Sequence, residues 1–103
     1  MPASTHPLLR EYVGYGVVNA SFIHLLTEAG QEGVSQGYLR RGTVVRIIER
    51  RPVFNRGSSE LWVYAVGNYR QPSESLRGWL RESTLIIFDN ESRALTASRS
   101  MTN

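Results

Sequence analysis

Apolar residues along this chain recur in short clusters, most of them with a period of two, and none carries the three-to-four spacing of a long helix. The clearest is residues 43–49, where Val45 and Ile47 share one face and Arg46 takes the other. In residues 61–66, Val63 and Ala65 oppose Trp62 and Tyr64. A longer stretch with Val17, Val18, Phe22, Ile23, Leu25 and Leu26 is rich in β-branched and aromatic side chains, as strands are. Gly78-Trp79-Leu80 begins a further short strand, and residues 84–88 form a last apolar run that Asp89 ends.

Between these runs the turn formers gather. Residues 29–37 read as a loop, Arg40-Arg41-Gly42 as a tight turn, and residues 52–59 and 67–77 as two long polar loops. Leu8 to Val13 fits either a helical turn or a short strand. The ends are polar and rich in Ser, Thr and Ala, which predicts an N-terminal extension over 1–15 and a disordered tail over 90–103. The fold class expected is all-β: a small barrel of five or six short strands over 16–89, with two long loops and flexible termini. Val45, Ile47, Val63, Ala65, Leu80 and Leu85 are its expected core, with Tyr38 and Trp79 filling the interior beside them.

A chain of 103 residues is enough for one domain, and no apolar run approaches the length of a membrane-spanning helix. The absence of cysteine excludes disulfides, thiolate chemistry and Cys-ligated metals. Net charge is +3, and every one of the twelve basic residues is arginine. Arginine suits carboxylates and phosphates, yet these are spread from Arg10 to Arg99 with glutamates between them, so no basic block stands out. Residues 1–7 lack the charged-then-apolar layout of a secretory leader.

Catalysis finds little to work with. The two histidines are His6, in the N-terminal extension, and His24, alone in a strand. The acidic residues are scattered without a paired spacing, and no Gly-x-Ser-x-Gly elbow is present. No enzymatic activity, metal or cofactor is therefore expected.

The order of the pieces resembles the bacterial SH3-like (SH3b) family. Ala20-Ser21-Phe22-Ile23-His24-Leu25-Leu26 is similar to that family's opening phrase, Ala-Ser-x-Leu-Asn-Val-Arg. Leu39-Arg40-Arg41-Gly42-Thr43-Val44-Val45-Arg46-Ile47 resembles its Gly-Thr turn and Val-x-Val strand. Trp62-Val63-Tyr64-Ala65-Val66 and Gly78-Trp79-Leu80 complete the series, which spans residues 16–85. Leu26 stands where the family has arginine, His24 where asparagine is common, and the loops at 51–60 and 67–77 are longer than the family minimum. These departures weaken any transfer of a specific ligand.

The resemblance implies a non-catalytic binding module in an extracytoplasmic, periplasmic or cell-envelope setting. Its partner would be a cell-wall peptide or glycan, or a protein, held on an aromatic-lined face. Alternation would put Trp62 and Tyr64 on the outer side of their strand, with Tyr69, Arg56 and Arg70 supplied by the two long loops. A domain that docks a neighbouring subunit is the alternative. Nucleic-acid binding, by base stacking on aromatics among arginines, is a third class.

Overall fold

The computed structural model describes residues 14–102; the segments 1–7 and 8–13 lie outside them. Seven strands follow in order: β1 (Gly14–Val18), β2 (Phe22–Leu26), β3 (Ser35–Arg40), β4 (Val44–Asn55), β5 (Ser58–Gly67), β6 (Leu76–Arg81) and β7 (Leu85–Phe88). A helix, α1 (Glu91–Thr102), ends the described chain. The strands make one antiparallel sheet in the order β3-β2-β6-β5-β4-β1-β7, curled into a half-barrel. The fold is all-β, with seven strands where five or six were expected: the apolar stretch from Val17 to Leu26 divides at residues 19–21, and the loop expected at 29–37 already contains the start of β3.

The six expected core positions are buried, in one cluster with Val18, Leu25 and Leu39. Trp79 is buried as expected, but Tyr38 is half-exposed. Its neighbour Leu39 takes the inward position, so alternation turns Tyr38 outward. Where β2 crosses β6, the strands approach so closely that a Cβ on Gly78 would lie 2.8 Å from Leu25 Cβ. Only glycine fits this crossing without displacing the neighbouring backbone.

The first expected loop, 52–59, is instead the distal half of a hairpin. A bulge between Ile47 and Glu49 reverses the parity of β4, after which Arg50 faces Val63 and Arg51 faces Trp62. Pro52 is tolerated inside this strand because β4 pairs with β1 only over Val44 to Ile47. Its missing N–H therefore falls on a flank with no paired strand among the described residues. The hairpin closes through Asn55 and Ser58, with Arg56 and Gly57 at φ 50° and 86°. Two successive positive φ values are those of a type I′ turn, whose twist matches the strands it joins.

The expected disordered tail is also corrected: residues 91–102 form α1, packed on β1, β4 and β7. Asn90 Oδ1 accepts a hydrogen bond from the backbone N–H of Arg93 at 2.9 Å, an N-cap. Glu91 in the first turn and Arg99 in the last complement the helix dipole. A twelve-residue helix this rich in Ser and Thr would be marginal alone, so its stability comes from docking. Ala94 is fully buried, and Ser98 Oγ donates to the Gly42 carbonyl across the interface.

Candidate functional site

The five residues singled out from sequence do not share a surface. Arg56 sits in the turn before β5, while Tyr69 and Arg70 follow the opposite end of that strand. Trp62 and Tyr64 do lie on the outer face of β5, but that face is closed. Trp62 is only 2% exposed, with the Arg81 guanidinium 5.1 Å above its ring, itself ion-paired to Glu60. Arg51, paired to Glu49, covers Trp79 in the same way at 4.7 Å. Tyr64 packs edge-on against Trp79, ring centres 5.3 Å apart. Long arginine side chains can cover aromatic surface while keeping their charge in water, which is how an outward tryptophan becomes buried. The expectation that Trp62 presents an open face to a ligand is thus corrected. Its indole Nε1 is buried without a hydrogen-bond partner.

Tyr69 and Arg70 clamp α1. The Tyr69 hydroxyl donates to Glu91 Oε2 at 2.6 Å, and Arg70 Nε donates to the same oxygen at 2.9 Å. Burial, and then the bond to the Glu91 carboxylate, push the Tyr69 hydroxyl up to about 12. The bonds from Tyr69 and Arg70 hold Glu91 below the ordinary carboxylate range. A raised phenol contributes stability that is whole below its ordinary value of 10 and is lost as pH rises from there toward 12. A lowered carboxylate contributes stability present above its ordinary range and lost as pH falls through its depressed value. The thermal unfolding midpoint should therefore fall toward both acid and alkaline extremes and be highest between. In Tyr69→Phe the alkaline change should shrink; an unchanged alkaline limb would assign it to another group.

The open aromatic surface lies elsewhere, on β2 and β3. Inward Ile23, Leu25 and Leu39 leave Phe22, His24, Tyr38 and Arg40 pointing outward. Cross-strand pairing places Phe22 opposite Arg40 and His24 opposite Tyr38. The three rings meet edge-to-face: Phe22–His24 at 5.7 Å, Phe22–Tyr38 at 5.8 Å and His24–Tyr38 at 6.2 Å. A 2.9 Å hydrogen bond joins His24 Nδ1 to Ser35 Oγ and fixes the imidazole. With Ser21 and Arg40 the rings line a shallow hollow of about 590 Å³. Phe22 is 55% exposed and Tyr38 51%, so much of their apolar area still faces water.

Two other hollows are less available. One, of about 500 Å³, is lined by Leu61, Leu85 and Ile87 together with the Arg50–Glu82 and Arg81–Glu60 ion pairs, whose charges already satisfy each other. The other, about 280 Å³ around Tyr69 and Leu95, lies beneath the α1 clamp. Among the described residues, no group of three His, Asp or Glu side chains is placed to hold a metal ion, and no helix is long and apolar enough to cross a membrane. Comparison with protein-family models, curated proteins and solved structures finds no match to this chain.

Proposed function

We propose that this chain is a non-catalytic binding module of the bacterial SH3-like kind, acting outside the cytoplasm. Its ligand is a segment of the cell wall or of a protein partner, held on the β2–β3 surface of Phe22, His24 and Tyr38. One observation carries this reading: three aromatic rings, in contact with each other and held by a histidine–serine bond, remain open to water on the β2–β3 hairpin. Exposed, preorganised aromatics offer large contact area at small entropic cost, which is how anchor residues at interfaces work.

The test compares the full chain with the Phe22→Ala/Tyr38→Ala variant for co-sedimentation with insoluble peptidoglycan, and for binding to the synthetic peptides described below. Each ring removed should weaken binding by about 2 kcal/mol, roughly thirtyfold, with the urea midpoint nearly unchanged. Binding that survives both substitutions would move the site elsewhere.

The assembly reading keeps one supporting observation. Phe54, 77% exposed, projects beside Pro52 on the arm formed by β4 and β5, beyond the core that the same face covers further down. Concentration-dependent sedimentation abolished by Phe54→Ser would favour it.

A further inference from the structure

Building on the β2–β3 site, we propose that its occupant is an acidic peptide segment: a carboxylate sits against Arg40 and Arg41, and an adjacent aliphatic or aromatic side chain enters the hollow between Phe22, His24 and Tyr38. Arg50, Arg51, Arg70, Arg81 and Arg93 each hold a carboxylate of the protein itself. Arg40 and Arg41 are exposed and have no such partner among the described residues. Arg40 lines the hollow opposite Phe22, and the Arg41 backbone N–H bonds to the carbonyl of Ser21 at the hollow's rim. The Arg40 guanidinium beside open apolar surface, with a second exposed arginine next to it in the chain, matches a carboxylate next to an apolar side chain, and its planar fork can grip that carboxylate through paired hydrogen bonds.

The charges along the hairpin also orient the segment. Arg40 and Arg41 stand where β2 begins and β3 ends, whereas Glu28 and Glu32 occupy the loop joining the other ends of these strands. A nucleic acid carries a phosphate at every residue and needs cations along its whole path, so the acidic loop disfavours it. A glycan stacks best on a flat ring face. Here the rings meet at 65° to 82° and form walls, a shape for an inserted side chain.

The test titrates the isotope-labelled full chain, at low salt, with four probes: acetyl-Ala-Trp-Asp-Asp-amide, its Asn-for-Asp counterpart, an N-acetylglucosamine oligomer and a short oligothymidylate. The acidic peptide should shift Phe22, His24, Tyr38 and Arg40 saturably, and bind about tenfold more tightly than its uncharged counterpart. In Arg40→Gln/Arg41→Gln, with an unchanged unfolding midpoint, that gap should close while the uncharged peptide binds as before. Equal affinity of the two peptides for the unaltered chain would overturn the acidic partner and leave the aromatic site standing. Tighter binding of the oligosaccharide or the oligothymidylate at these residues would do the same. If no probe perturbs these residues, the acidic-peptide proposal and the site reading fall together.

Discussion

Trp62→Ala is expected to destabilise the protein by about 3–5 kcal/mol, the range for deleting a large buried aromatic, and to shift the urea midpoint accordingly. Trp62 lies outside the central cluster, on the convex side of β5, but its burial is that of a core residue. Removing it leaves the Arg81 guanidinium without the ring beneath it and opens a cavity in a site that is only 2% exposed. Trp62→Phe should cost much less. The indole Nε1 makes no hydrogen bond, so phenylalanine leaves no partner unsatisfied and removes a buried donor that gains nothing by folding. Phe22→Ala and Tyr38→Ala should lie within about 1 kcal/mol of the parent, because their rings are half in water already. A Trp62→Ala variant as stable as the parent would mean that the arginine cover is not a second core.

Removing residues 91–103 should destabilise the half-barrel on the order of 2 kcal/mol from lost apolar contact alone. Ala94 is fully buried, and Leu95, Ala97 and Met101 are half-buried as the helix packs on the sheet. The loss also frees the Gly42 carbonyl and the Tyr69 hydroxyl from their partners in α1. Ala94→Glu in the full chain should reproduce the effect, since a carboxylate there would be buried against the strands that α1 packs on. Paired urea titrations of the three proteins check this. A truncated chain with the parent midpoint would show that α1 adds no stability.

Strand alternation alone makes much of the core legible: Val45 with Ile47, and Val63 with Ala65, need only a local period of two. The arm was harder. Pro52, Asn55 and Gly57 read as loop residues, and nothing local says that the proline's missing donor falls on an unpaired flank. The helix was hidden because its packed side joins Leu95 and Met101 to the small residues Ala94, Ala97 and Ser98, too weakly apolar to signal periodicity without the carbonyl and phenol it meets. The β2–β3 site was missed, because Tyr38 was expected in the interior and Phe22, His24 and Arg40 were not singled out. With Ile23, Leu25 and Leu39 inward, the same alternation puts Phe22, His24, Tyr38 and Arg40 outward. Applied to Trp62 it gave the correct face but the wrong exposure. Which side of a curled sheet is roofed depends on arginines from β4 and β6, distant in sequence and meeting only in the fold.

The most direct measurement of the central claim is a chemical-shift map of the full chain as the acidic peptide is added. The account predicts saturable shifts concentrated on Phe22, His24, Tyr38 and Arg40, absent from Phe22→Ala/Tyr38→Ala, with Trp62, Phe54 and α1 unmoved. Shifts centred on Phe54, on the Arg50–Glu82 cleft or on α1, or an undiminished response in the double variant, would contradict it.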